Sequence, residues 1–141
     1  MKIEIKRVDN GVLLEAQNDT QNTFLIDGSE DIGGKNRAMR PMQLLLAALG
    51  GCTSMDVLSI LYKQRQNIVH FSVEVDGERE QGVIPALYRN IHITFHFEGN
   101  IDKSKIERAI ELSMTKYCSV AKTLEPTATI TTSYTLKEVQ S

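Results

Sequence analysis

The sequence predicts an α+β fold with the element order βββ-α-ββ-α-β, in which antiparallel sheets surround a long buried central helix. Strand-like alternation of apolar and polar residues occurs near the N-terminus and again in the middle of the chain. A long apolar helical pattern and a shorter amphipathic one separate the strand groups. Strands and helices do not alternate one by one, which argues against a parallel doubly wound sheet. With 141 residues and no evident linker, we predict one domain over residues 1–141.

The N-terminal segment predicts an antiparallel meander of three strands. Residues 1–8 alternate charged side chains with Ile and Val. Asn10-Gly11 follows, the strongest short signal for a β-hairpin, and the returning strand begins at Val12. A third strand covers residues 23–26, and Asp27-Gly28 ends it.

A polar, glycine-rich loop is predicted over residues 28–40. Its Gly33-Gly34-Lys35 invites a phosphate-loop interpretation, which fails because Ser29 and Asn36 occupy positions where that motif requires Gly and Ser or Thr. Loops of this length in a compact domain are often functional. This one offers the cations Arg37 and Arg40.

Pro41 stands where a first helical residue is favoured, and residues 42–64 after it predict the central helix. It is apolar nearly all round, which is typical of a buried helix. Gly50-Gly51 in its middle costs about 1 kcal/mol per glycine, and one physical use of that cost is the close approach of another backbone or a ligand. Cys52 follows directly.

The second half predicts two strands, an amphipathic helix and a last strand. Residues 71–76 and 91–98 alternate apolar and polar side chains. Asp102 is a good N-cap for the amphipathic helix, which ends before Pro126. Cys118 lies late in this helix, and the helix can break near it. The last strand covers residues 128–139.

Composition excludes several classes of function. A net charge of −2 gives no broad positive field, so we expect no nucleic-acid partner and no anionic membrane surface. The longest apolar run ends at Gly50-Gly51, and Asp56 interrupts its continuation, short of the ~20 residues of a membrane span. With no secretory signal, we expect a cytoplasmic protein with reduced thiols.

No metal site is predicted from these residues. Two cysteines are too few for zinc without help from His or carboxylates. His92 and His96 share a strand face but lie about 13 Å apart along it, too far for one ion, and we expect both to face solvent.

Cys52 and Cys118 are the candidates for chemistry. A reactive cysteine must be a thiolate, which requires a nearby cation or a helix N-terminus. The alternative is that both are small buried hydrophobic residues, which spacing alone favours. Asp56 is unusual on an apolar helix, because a buried carboxylate needs a partner.

Two segments carry a resemblance to a known family. The central helix, RPMQLLLAALGGCT (40–53) followed by MDVL (55–58), resembles that of the OsmC/Ohr family of osmotically induced and organic hydroperoxide resistance proteins. The segment LSMTKYCSVA (112–121) is similar to the second-cysteine helix of the same family, closest to its less characterised OsmC-like branch. The resemblance covers nearly the whole chain.

The resemblance implies an intertwined homodimer and a thiol-dependent peroxidase, active in the oxidative stress response, that reduces organic hydroperoxides. Cys52 would be the attacking thiolate and Cys118 the resolving cysteine, with an external dithiol as reductant and Arg37 or, as runner-up, Arg40 as the activating cation. No metal or organic cofactor is implied.

The chain departs from the family at one place. The active peroxidases carry a glutamate just after the X-Pro start of the central helix, where this chain has Met42 and then Gln43. This departure motivates an alternative, a non-catalytic dimer that binds a small apolar or sulfur-containing ligand in the interface pocket. A redox sensor acting on a partner protein is a third hypothesis.

Overall fold

A computed structural model describes residues 1–140. The chain divides into two compact units, residues 1–45 and the chain from residue 46 onward. The predicted order βββ-α-ββ-α-β is confirmed. The prediction of one domain over residues 1–141 stays a prediction.

The N-terminal unit contains the predicted meander. Its strands are β1 (Ile3–Arg7), β2 (Leu14–Asn18) and β3 (Thr23–Ile26), antiparallel in the order β1-β2-β3. Short hairpin-linked strands of this kind need only local contacts to pair.

The turn between β1 and β2 is longer than the Asn-Gly signal predicts. The side chain of Asp9 accepts hydrogen bonds from the backbone N–H of Gly11 at 2.8 Å and of Leu13 at 3.2 Å. An Asp that satisfies backbone donors two and four residues ahead holds them in a turn. The returning strand therefore begins at Leu14 and not at Val12.

The central helix, α1, covers Pro41–Lys63. The prediction that it is buried all round is wrong for the single chain, because one stripe is buried (Leu49, Gly50, Thr53, Val57 and Leu61) while Met55 and Tyr62 are 74% and 82% exposed. The length and composition of α1 would also allow it to cross a membrane, so the prediction that no apolar run reaches that length is wrong. Core helices of soluble proteins have the same length and composition, so these two properties assign no location.

The two glycines of α1 differ in what surrounds them. A Cβ added to Gly50 would lie 2.9 Å from Cγ2 of Val75, whereas one added to Gly51 would meet nothing within 4 Å among the described residues. Gly50 therefore allows the close approach of a valine side chain of the C-terminal sheet, and the predicted approach of another backbone or a ligand stays a prediction.

The C-terminal unit contains a three-stranded sheet. Its strands are β4 (Asn67–Arg79), β5 (Tyr88–Asn100) and β6 (Thr129–Glu138), in the order β4-β5-β6. Alternate residues of the middle strand form the centre of the core and are almost fully buried: Ile91, Ile93, Phe95 and Phe97.

The pairing of β5 with β6 corrects the prediction of purely antiparallel sheets. Strands β4 and β5 are antiparallel, but β5 and β6 are parallel. The helical segment between β5 and β6 returns the chain to the end of the sheet at which β5 began, and a parallel pair requires such a crossover.

That crossover consists of two helices and a π-helical segment. Helix α2 covers Lys103–Leu112, the π segment covers Ser113–Tyr117 and helix α3 covers Ser119–Leu124. Asp102 caps α2 as predicted, since its side chain accepts from the backbone N–H of Ser104 at 2.9 Å. The possible break near Cys118 is also confirmed.

Candidate functional site: a cysteine–aspartate cluster

The two cysteines lie side by side with one carboxylate. The Sγ atoms of Cys52 and Cys118 and a carboxylate oxygen of Asp56 all lie within 4.8 Å of one another. Cys52 and Asp56 are one turn apart on α1, so that helix presents both on the same face. We call these three residues the cysteine–aspartate cluster. Both cysteines are free thiols.

Cys118 enters the cluster through the break in its helix. The π segment ends with the backbone N–H of Cys118 donating to the carbonyl of Ser113 at 2.8 Å, and Cys118 then becomes the N-cap of α3. Its Sγ accepts the backbone N–H of Ala121 at 3.4 Å. Such π-helical insertions are frequent at functional sites.

The environment of Cys118 keeps its sulfur protonated at neutral pH. Burial, the neighbouring Cys52 and the charge of Asp56 together raise the pKa of the Cys118 thiol to about 11, and the backbone N–H of Ala121 only partly opposes them. Cys118 is fully buried, whereas Cys52 is partly exposed. The two cysteines therefore differ in their access to solvent.

A chain of hydroxyl groups holds Asp56 in place. The hydroxyl of Ser113 donates to Oδ2 of Asp56 at 2.8 Å, and it lies 2.8 Å from the hydroxyl of Thr53. A serine has one hydroxyl hydrogen, so Thr53 is the donor to Ser113. Thr53 and Ser113 are fully buried, and each satisfies the other.

An open groove leads to the carboxylate of the cluster. Its volume is about 400 Å³. Asp56, Ile60 and Lys63 of α1 line one side, and Leu112 and Tyr117 line the other. The groove gives small molecules a route to Asp56.

Arg37 is held by two carboxylates inside the N-terminal unit. Its Nε donates to Oδ2 of Asp27 at 3.1 Å, and its Nη2 donates to Asp9. Burial alone would raise the pKa of Asp27, but the backbone N–H groups of Arg37, Gly28 and Lys35 and the Arg37 guanidinium lower it to about 2. This arrangement organises the polar loop.

Arg40 has a neutral partner. Its guanidinium donates to Oδ1 of Asn36 at 2.8 Å. Its backbone N–H donates to Oε1 of Gln43 at 2.9 Å, so Gln43 forms the return half of a capping box at the start of α1. The role of either arginine beside Cys52 stays a prediction, because the arginines and the cysteines belong to different units.

The sequence identified part of this site. It singled out both cysteines, and it noted that Asp56 needs a partner, which is Ser113. No periodic pattern marked Ser113 or Thr53, because small hydroxyl residues inside helices are common and their contact is between segments far apart in the sequence. His92 and His96 bond to threonine and serine side chains of β6, as at the 2.7 Å contact of His92 with Thr131, and neither belongs to a metal-binding group among the described residues.

Comparisons with known proteins agree on one family. A family model described as OsmC-like protein matches residues 33–133. Protein YhfA of Escherichia coli is 36% identical over 135 residues, which are 95% of this chain and 96% of that protein.

Solved structures share the fold. A hypothetical protein from Aquifex aeolicus superposes with a TM-score of 0.85 at 25% identity, covering 99% of this chain and 97% of that one. An organic hydroperoxide resistance protein OsmC from Legionella pneumophila superposes with a TM-score of 0.65 at 12% identity, covering 95% of each chain. The likeness to the second structure concerns the fold alone.

Proposed function

The chain belongs to the OsmC-like protein family, and from this premise we propose that it is a thiol-dependent peroxidase that reduces organic hydroperoxides. The observation that carries the proposal is the cysteine–aspartate cluster, in which both sulfurs lie within 4.8 Å of each other. Two thiols at that separation can exchange two electrons with a peroxide and close to a disulfide of about 2.05 Å.

Cys52 is the nucleophile in this proposal. It is the less buried of the two cysteines, and burial raises the pKa of the Cys118 thiol. The Cys52 thiolate attacks one peroxide oxygen, an S–O bond forms and the O–O bond breaks. The remaining alkoxide takes a proton and leaves as the alcohol, so sulfur is oxidised to sulfenic acid while the hydroperoxide is reduced.

Cys118 resolves the sulfenic acid. Its sulfur attacks the sulfur of Cys52, the S–S bond forms and the S–O bond breaks. The departing hydroxide combines with the proton of the Cys118 thiol and leaves as water. The carboxylate of Asp56 lies beside both sulfurs, in a position to pass that proton on. An external dithiol then reduces the disulfide by exchange, which suits a reducing compartment such as the cytoplasm.

Arg40 is the better candidate for the activating cation. Arg37 is engaged by two carboxylates, and moving it toward a thiolate would leave the buried Asp27 without its cation. The guanidinium partner of Arg40 is the neutral amide of Asn36, an interaction that is easily exchanged. Where the family has its glutamate this chain has Met42, and the neighbouring Gln43 caps α1.

The proposal includes a homodimer. Met55 and Tyr62 lie two turns apart on α1 and are both largely exposed, and neighbouring exposed apolar side chains mark protein interfaces when they form one patch. Light scattering on the purified protein tests this directly, with Met55→Lys against Val83→Lys, an exposed apolar residue outside α1. We expect the parent protein and Val83→Lys to be dimers and Met55→Lys to be a monomer. A monomeric parent protein would contradict the proposed homodimer.

A second candidate function is favoured by the missing glutamate. Without it the same scaffold could bind a small apolar or sulfur-containing ligand without turnover, and the groove beside Asp56 has apolar walls at Ile60 and Leu112.

Mass spectrometry of thiols separates the two candidates. The peroxidase loses two thiols to one equivalent of an organic hydroperoxide, faster than with hydrogen peroxide, and gains a Cys52–Cys118 linkage. Two thiols that survive would favour the ligand-binding scaffold.

A further inference from the structure

The cysteine–aspartate cluster offers three donor atoms of the kinds that bind zinc. Thiolate sulfur and carboxylate oxygen are both common zinc ligands. Ligands of one tetrahedral zinc ion lie about 3.5 to 3.8 Å from each other, given bonds of about 2.3 Å to sulfur and 2.0 Å to oxygen. The three donors lie within 4.8 Å of one another, so shifts of about 1 Å would bring them onto one ion.

We propose that the reduced chain binds one zinc ion through Cys52, Cys118 and Asp56. Binding of the ion releases the thiol protons to solvent, and the two resulting thiolates favour zinc or a similarly soft ion over magnesium or calcium, which require oxygen ligands. The carboxylate supplies the third ligand that a pair of cysteines lacks. No further His, Cys or carboxylate belongs to this group among the described residues, which leaves the fourth position to water or a small thiol.

The carboxylate is already oriented for this role. Ser113 donates to Oδ2 of Asp56, and Thr53 supports Ser113 from behind. Carboxylate ligands of metal sites are commonly fixed by such a hydrogen bond. Asp56 also lines the open groove, which gives an ion access to that carboxylate. Because the metal and the disulfide use the same two sulfurs, the chain cannot hold both.

A cobalt titration tests the site without any peroxide. Reduced full-length protein, freed of reductant under argon, would be titrated with Co²⁺ and then with Zn²⁺. We expect one ion per chain, a thiolate-to-cobalt charge-transfer band that Zn²⁺ abolishes, and a higher melting temperature with Zn²⁺. Absence of the band in the parent protein would overturn the proposal.

Matched variants identify the ligands. We expect Asp56→Asn to weaken zinc binding by about 10- to 100-fold or more, and Asp76→Asn, at an exposed aspartate of β4, to leave it unchanged. Equal affinities in these two variants would remove the carboxylate from the site and overturn the three-donor proposal. Thermal melts without metal identify any unfolded variant, and the parent titration then decides. Because no peroxide is present, failure here leaves the peroxidase proposal standing.

Discussion

Ser113 donates its hydroxyl hydrogen to Asp56 across 2.8 Å, and this bond joins the segment that leads to Cys118 to the helix that carries Cys52. A single-residue change at Ser113 therefore affects both the packing and the geometry of the cluster.

We predict that Ser113→Ala lowers the free energy of unfolding by about 1–3 kcal/mol, because the buried hydroxyl of Thr53 loses its acceptor. Urea denaturation measures this, with Ser72→Ala on the exposed face of β4 as control. Replacing both partners, as in Thr53→Val with Ser113→Ala, should cost less than the sum of the single changes. Additive losses would show that the hydroxyl pair is not coupled.

The two glycines of α1 give a second prediction. Gly51→Ala should stabilise the chain by up to about 1 kcal/mol through helix propensity, since the new methyl group meets no atom of the described residues within 4 Å. In Gly50→Ala the same gain is offset by a clash with Val75 at 2.9 Å, and overpacking of this kind costs about 1–3 kcal/mol. Thermal or urea unfolding of both variants compares them. Equal stabilities would mean that α1 does not approach β4 as closely as described.

The polar loop should respond to acid through Asp27. Its pKa in the folded protein, about 2, lies below the ordinary value of 3.8. The ionised form is therefore favoured by folding, and its contribution is complete above pH 3.8 and is lost as the pH falls toward 2. Asp27→Asn should have a lower free energy of unfolding than the parent at neutral pH. As the pH falls from 3.8 toward 2, this variant should then lose less of its free energy of unfolding than the parent does.

Urea unfolding across that pH range measures the effect, and Asp19→Asn, an exposed change in the same unit, serves as control. An Asp27→Asn curve parallel to that of the parent protein would show that Asp27 is not the group responsible.

The sequence predicted most of the fold because the relevant signals are local. Alternation marked the strands, and Asp102 marked the start of α2. It could not predict that β6 pairs parallel to β5, since that depends on where a crossover helix leaves the chain. Likewise α1 is apolar on nearly all sides, and its composition does not predict which side the rest of the chain buries and which side it leaves exposed.

The candidate site divides in the same way. Cys52 and Cys118 are visible as residue types within family-like segments, and Asp56 is visible as a charge on an apolar helix. Their proximity is not, because it depends on a π-helical segment that shifts the register of one helix just before Cys118. The contacts of Ser113 with Asp56 and Thr53 are equally invisible in the sequence, because they join residues about 60 positions apart.

The last prediction concerns the division of work between the cysteines. Cys52→Ser should abolish turnover of an organic hydroperoxide, since the accessible nucleophile is lost. Cys118→Ser should retain the first oxidation but accumulate a Cys52 sulfenic acid, because no sulfur remains to form the disulfide and release water. Trapping with dimedone and intact-mass measurement after one equivalent of peroxide distinguish the two variants. Met55→Leu, which keeps an exposed apolar residue on the same helix, serves as control and should behave like the parent. If Cys118 were oxidised first in the Cys52→Ser variant, at the rate of the parent protein, the roles would be reversed and the buried thiol would be the nucleophile.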